Sequence, residues 1–399
     1  MKRIATTLIA GAAALLALAP WRPAAAQTIR IGVVTTYSGP LAPPGISMDR
    51  GLTLYAKLHA KDLPKGVSVQ IIRRDDTGIA PAVAKRLAQE LVTRDHVQFL
   101  AGSVYSPDAL AIAPLATEAK VPFVVMNAAA ADLVRKSPYI VRDSFTLWQV
   151  AMPMGTWAAK HGLGDAYTAV SDYAPGWDAE GGFIAGIKQA GGKIVGSVRF
   201  PLNNPDFAPF LQRIKDLHPH TLFIFVPGGP QSTQMIKTFN ALGLAKAGIH
   251  LVTTQDLLID SELPKMGNIP LGVVSSGTYQ EASPRPANRA FVAAFQKAYP
   301  GAVADFPAMQ GWDGMAMIFQ VLERTHGKFT PAQAMAILSH YTTANSPRGP
   351  FHIDPKTRDV VQNVYIRRVE KLKNGQLANV RFDTFPMVAD PWAQMHPEK

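Results

Sequence analysis

Cysteine is absent from all 399 residues, which removes disulfides, thiolate nucleophiles, iron–sulfur clusters, cysteine-ligated zinc and cysteine lipidation from consideration. Charged residues are scarce at 17%, and beside a hydrophobic content of 47% this excludes disorder as the chain's main character. Apolar runs long enough for a bilayer are also missing, since Ile4 to Ala19 falls short of the ~20 residues that a span requires. The 31 Gly and 32 Pro stay below the roughly 25% that marks low-complexity chains. A chain of this length exceeds what one hydrophobic core organises and predicts two lobes.

The formal charge of +11 is scattered. Its densest clusters, Arg73-Arg74 and Arg367-Arg368, are followed closely by Asp75-Asp76 and Glu370, and no basic run is interleaved with aromatics. This pattern predicts a solvated, mildly basic surface and no nucleic-acid groove. At the N-terminus, Lys2-Arg3 precede the apolar stretch, Pro20 breaks it, and Ala24-Ala25-Ala26 supplies the small residues a signal peptidase requires before Gln27. Residues 1–26 are therefore expected to be a cleaved signal peptide, leaving a soluble chain that diffuses freely in a bacterial periplasm, not embedded in the membrane.

From Ile29 onward, short β-branched runs alternate with amphipathic stretches of helical length. Ile29 to Val34, Val67 to Ile72, Val97 to Ala101 and Pro122 to Val125 read as buried strands. Pro81 to Arg94 reads as a helix, with Val83, Leu87 and Leu91 at i, i+4 and i+8. A second series repeats the pattern, with strands at Ala166 to Ser171, Ile194 to Phe200, Leu222 to Val226, Ile249 to Thr253 and Leu271 to Ser276. Helix-rich stretches and a β-like run from Val360 to Val369 follow. The expected fold is α/β, with two Rossmann-like lobes of parallel sheet. The lobes are expected to comprise residues 27–146 with 279–350, and 147–278 with 351–399.

Open parallel sheets bind ligands beyond the carboxyl ends of their strands, which directs attention to the following loops. These are Tyr37-Ser38-Gly39-Pro40 after the first strand, Gly102 to Pro107 after the third and Met126 to Asp132 after the fourth. Ser106-Pro107 predicts a helix start with Ser106 as N-cap, a terminus that favours an anion. The same serine has a purely structural reading as a cap. Asp75-Asp76 is expected to cap the helix opening at Pro81, and Trp312-Asp313 to serve as core and its cap. No Gly-x-Ser-x-Gly, His-Glu-x-x-His, Walker loop or Gly-x-Gly-x-x-Gly is present, and the ten histidines are dispersed. Neither an enzyme nor a cofactor or metal site is expected.

The signal-like start, Ile31-Gly32-Val33 leading into Ser38-Gly39-Pro40, Asp75-Asp76, Gly102 to Ser106, Ser346-Pro347-Arg348-Gly349-Pro350 and Gln362-Asn363-Val364-Tyr365 occur in one order. Together they resemble periplasmic substrate-binding proteins of ABC importers, of the branched-chain amino-acid type, over essentially the whole chain after the signal. The resemblance implies lobes joined by three crossovers, closing on a small ligand that is handed to a membrane permease, in a protein expected to be monomeric. It places the carboxylate-binding serine at Ser106 and further contacts at Asn127, Ala128 and Ala129. It also implies departures. Ala129 stands where the amino-acid binders carry threonine, and Gln255 where they carry an acid for the ligand's ammonium, unless the register slips by one to Asp256. Gly228-Gly229 replaces a tyrosine-bearing loop. Tyr37, Tyr105, Tyr173 and Trp177 cluster at these loops, each with an alternative role in packing against its own helix. An anion site, aromatic walls and no acid at Gln255 point to an aromatic or hydrophobic carboxylate, and Met126 to Ala131 resembles the aromatic-acid branch. An amino-acid or amide binder and a ligand-sensing receptor domain remain as alternatives.

Overall fold

The β-branched runs become strands and the amphipathic stretches helices in a computed structural model that describes residues 27–397. In chain order the first part contains β1 (Gln27–Thr35), α1 (Ala42–His59), β2 (Val67–Asp75), α2 (Pro81–Thr93), β3 (Phe99–Gly102), α3 (Ser106–Ala119), β4 (Phe123–Val125) and β5 (Ile140–Arg142). The second contains α4 (Leu147–Lys160), β6 (Asp165–Ser171), α5 (Ala174–Gln189), β7 (Lys193–Phe200), α6 (Ala208–Leu217), β8 (Thr221–Phe225), α7 (Pro230–Ala241), β9 (His250–Thr254), α8 (Leu263–Met266) and β10 (Val274–Gly277). The remainder is α9 (Pro286–Ala298), α10 (Phe306–Thr325), α11 (Pro331–Leu338), β11 (Thr342–Thr343), β12 (Phe351–Ile353), β13 (Val360–Lys371), β14 (Leu377–Val388) and α12 (Pro391–Met395).

The first sheet has the order β2-β1-β3-β4-β5 and is parallel throughout. Its central strands are buried on both faces, as the uninterrupted apolar run Phe99-Leu100-Ala101 requires. In α2 the buried stripe is Ala84, Leu87, Ala88 and Leu91, with Val83 only partly covered. Proline occupies the first turn of α1, α2, α3, α5, α7, α9, α10 and α11, where its missing N–H is one the helix could not use. This accounts for a chain rich in proline that is nonetheless regular.

The second sheet carries an antiparallel edge beside its parallel strands. Strands β10, β9, β8, β6 and β7 are parallel, but β10 pairs antiparallel with β13, which also carries β12 and β14 antiparallel. The C-terminal chain thus adds a hairpin edge to a doubly wound sheet. The chain leaves the first sheet after β5, and α9 and α10 return to pack on α1. Strand β12 hydrogen-bonds into the second sheet, yet Phe351 and Ile353 pack in the first lobe's core with Val33 and Met317.

Two glycines place helix ends against strand ends at equivalent points of the two lobes. A Cβ on Gly45 in α1 would collide with the Thr36 carbonyl, and one on Gly176 in α5 with the Ser171 carbonyl. Each helix therefore starts against the carboxyl end of the first strand of its sheet, the side on which a ligand would sit.

Candidate functional site

Between the carboxyl ends of the two sheets the lobes leave a small cavity of about 30 Å³, room for a water or two in this form. The first lobe contributes Val104, Tyr105 and Ser106 after β3, Asn127 and Ala129 after β4, Pro44 from α1 and Phe306 from α10. The second contributes Tyr173 and Pro175 after β6, Phe225, Pro227 and Gly228 around the end of β8, and Asp256 after β9. Phe145 and Leu147 line it at the first crossing. No Lys, Arg or His is among the lining residues.

Ser106 does not cap α3, contrary to the expectation. The N-cap is Tyr105, with no side-chain bond, and the Ser106 hydroxyl instead accepts from the Ala129 N–H at 3.1 Å and the Ala130 N–H at 3.0 Å. A serine oxygen has two acceptor positions and one proton to give. Both acceptor positions are filled by backbone, so the proton is what Ser106 has left for the cavity it lines. Two N–H donors on its oxygen polarise the hydroxyl and strengthen it as a donor. Ser106 also sits at the N-terminal turn of a 14-residue helix, where the dipole favours negative charge. Asn127 gives one amide hydrogen to Gln310 Oε1 at 2.7 Å and has a second to offer.

On the opposite wall, Tyr173 stacks on Phe225 with ring centroids 6.3 Å apart, and among the described residues its hydroxyl has no hydrogen-bond partner. Burial, then the nearby Asp256 and Tyr105, hold its phenol in the protonated form. Gln255 was expected to face the cleft and does not. It is fully buried, and its Oε1 accepts from the Thr278 N–H at 2.8 Å, tying β9 to the strand that leads out of the lobe. Its neighbour Asp256 lines the cavity, which is the alternative register and brings an acid to the site. Asp256 is 9% exposed; its Oδ2 accepts from Thr254 Oγ1 at 2.9 Å. Burial pushes its carboxyl up to about 6, with the Thr254 hydrogen bond and distant Arg367 pulling the other way.

Five further sequence candidates lie away from the cavity. Tyr37 donates from its hydroxyl to Asp49 at 2.8 Å, and Asp49 is also bound by Arg73. Ser38 is exposed in the loop held by Asp75, which accepts from the N–H groups of Tyr37 and Thr77. Asp75 and Asp76 thus pin the loops after β1 and β2; neither caps α2, whose N-cap is Ala80. Ala128 is fully buried behind the wall, with its N–H on the Ser103 carbonyl. Trp177 is 48% exposed, donates to Asp172 at 2.7 Å and lies under the Arg199 guanidinium. Gly229 caps α7 at φ +117°, a conformation that suits glycine, and abuts Pro44 across the cleft without lining the cavity. Tyr105, Ser106, Asn127, Ala129, Tyr173 and Gly228 are the candidates brought together. Asp256, the register alternative to Gln255, joins them, as do Phe225 and Phe306, which carry no signal of their own in the sequence: Phe225 ends a buried strand and Phe306 opens a helix.

A family model described as periplasmic binding protein matches residues 28–376. The chain belongs to the periplasmic binding protein family. It is 39% identical over 392 residues to the Leu/Ile/Val-binding protein homolog 6 of Brucella melitensis, covering 98% of this chain and 99% of that one. A solute-binding protein of an ABC transporter from Rhodopseudomonas palustris BisB5, solved with 3,4-dihydroxybenzoic acid, is 44% identical with a TM-score of 0.88 over 92% of this chain and 99% of that one. Another from R. palustris HaA2, solved with p-hydroxybenzoic acid, is 40% identical with the same TM-score and coverage.

The segments that connect the lobes of this periplasmic binding protein are held by buried ion pairs. Arg348 bonds Asp313 at 2.8 Å and Asp143 at 3.2 Å, and donates to Gln362 Oε1 at 2.8 Å, while Tyr365 donates to its carbonyl. Asp313 is thus an ion-pair partner and not a helix cap. Gln362 in turn donates to the Ser144 carbonyl at 2.7 Å. Across the cleft, the Ala131 N–H donates to Asp178 Oδ2 at 2.8 Å, joining the loop after β4 to α5. Among the described residues no helix is long and apolar enough to cross a membrane, and no group of three or more His, Asp or Glu could hold a metal ion. The signal-peptide expectation falls on residues 1–26, outside the described residues.

Proposed function

We propose that this chain is a non-catalytic extracytoplasmic solute-binding protein that captures a small aromatic carboxylate between its lobes and delivers it to the permease of an ABC transporter. The observation that carries the reading is the Ser106 hydroxyl, its acceptor positions filled by Ala129 and Ala130 and its proton left for the cavity. A carboxylate is the natural acceptor at a helix N-terminus. The walls of Tyr105, Phe145, Tyr173, Phe225 and Phe306 favour a flat apolar body behind that carboxylate. Relatives at 40% and 44% identity were solved with hydroxybenzoic acids, which supports the same ligand class here.

In this reading residues 1–26 are a signal peptide removed on export, the lobes comprise 27–146 with 279–350 and 147–278 with 351–399, and the mature protein is a periplasmic monomer. Binding draws the lobes together about the crossings near Arg348, and the permease recognises the closed form. Asp256 favours a second reading, capture of an amino acid whose ammonium pairs with that carboxylate, and the Brucella relative's name agrees with it. Calorimetric titration with benzoate, 4-hydroxybenzoate and leucine separates the two. Tighter binding of leucine than of any acid lacking an ammonium rejects the aromatic-carboxylate reading.

A further inference from the structure

We infer that Asp256 and Tyr173 form a subsite for a phenolic hydroxyl at the end of the ligand remote from Ser106, so that the protein selects hydroxylated aromatic acids over unsubstituted ones. This rests on the aromatic-carboxylate reading of the cavity. A carboxylate at the edge of an apolar cavity needs hydrogen-bond donors: Thr254 supplies one hydroxyl to Oδ2 and the residue's own backbone N–H another bond, but no basic side chain lines the cavity. On the same wall the Tyr173 hydroxyl has no partner among the described residues. One group is a carboxylate with acceptor positions beyond those Thr254 and its own N–H use, and the other is a donor without a partner among the described residues. A phenolic hydroxyl meets both at once, donating its proton to Asp256 and accepting the proton of Tyr173.

An unsubstituted ring would instead press C–H edges against the Asp256 carboxylate and leave the Tyr173 hydroxyl unpaired. A methoxy group could accept from Tyr173 but has no proton for Asp256. The chemistry of this wall therefore distinguishes donors from mere acceptors.

The test compares benzoate, 4-hydroxybenzoate and 4-methoxybenzoate by calorimetry on the mature protein and on Asp256→Ala, Asp256→Asn and Tyr173→Phe. The quantity read is the ratio of affinities within each protein, so a general loss from altered packing cancels, and thermal unfolding establishes that each variant is folded. For the wild type, roughly tenfold or greater preference for 4-hydroxybenzoate over benzoate is expected, as for a hydrogen bond to a charged group. The methoxy compound should gain no advantage. Asp256→Ala should bring the preference down to about threefold or less, with Asp256→Asn and Tyr173→Phe intermediate. Equal wild-type affinities, or a preference that survives Asp256→Ala, would overturn the subsite while leaving the aromatic-carboxylate reading in place. Failure to bind any benzoate, with leucine bound, would overturn both and assign Asp256 to an ammonium.

Discussion

Both lobes line the cavity with aromatics and proline, Tyr105, Phe306 and Pro44 from the first and Tyr173, Phe225, Pro175 and Pro227 from the second, but the first adds the donors Ser106 and Asn127 where the second adds the acid Asp256. Both walls come from loops after parallel strands, and both rely on a glycine that lets a helix begin against a strand end, Gly45 in one and Gly176 in the other. Equivalent positions in a repeated fold therefore carry unlike chemistry. The scaffold decides where a ligand is held, and the loop side chains decide which end of it each lobe receives. A donor wall facing an acceptor wall also sets the ligand's direction: an acid entering the wrong way round would bring its charge to Asp256.

The comparison is broken most severely at the ground the two walls share. Arg348→Ala leaves Asp313 and Asp143 buried without their cation, and a loss of about 3–5 kcal/mol in folding stability is expected, read from urea unfolding. On the donor wall alone, Ser106→Ala should weaken benzoate binding by about 1–3 kcal/mol in calorimetry and, by removing the acceptor of the Ala129 and Ala130 N–H groups, should also cost on the order of 1–3 kcal/mol of folding stability. No loss of affinity would remove the anion site from the loop after β3.

On the acceptor wall the expected signature is in pH. The Asp256 carboxyl, raised to about 6 by burial, shares a cavity lacking any lining cation with the incoming benzoate anion, which raises it further. Arg367, behind it, favours the ionised form, and Tyr173, in front, stays neutral. Binding then takes up protons, so benzoate affinity should be greatest below about pH 6 and decline as pH rises above it. Asp256→Asn should flatten that profile in calorimetry, and a slope that persists would place the titrating group elsewhere. The smallest effect is expected for Trp177→Ala, since the indole is half exposed and bound to Asp172 outside the cavity. Its benzoate affinity should match the wild type within about twofold, and a larger loss would extend the second wall to that loop.

Much of the scaffold was legible because periodicity reports burial. The apolar runs of β1, β3, β6 and β8 and the stripe of α2 announce themselves locally. The short β5 did not, because a three-residue strand has no period to read, and β13, legible as the β-like run from Val360 to Val369, gave no sign of its antiparallel orientation, which depends on which strand it meets. In the site, loops after strands can be picked out from topology rules, and Ser106, Asn127 and Tyr173, named on that ground, line the cavity. Tyr37 and Trp177 were misplaced because an aromatic beside a cleft loop has the same sequence signature whether it faces the ligand or an Asp on its own lobe.

By itself the sequence determined the alternation of strand and helix, the proline-led helix starts and the absence of thiol chemistry, all of which depend on residue type and local spacing. Only the tertiary structure decided that Asp256 and not Gln255 reaches the cavity. Successive side chains at a strand end point to opposite sides, so the turn after β9 and its contact with Thr278 fix which of two neighbours faces the ligand. It likewise decided that the Ser106 hydroxyl serves the loop after β4 and the cavity, because the two N–H groups that occupy its oxygen lie more than twenty residues along the chain and arrive there only when β3 and β4 pair.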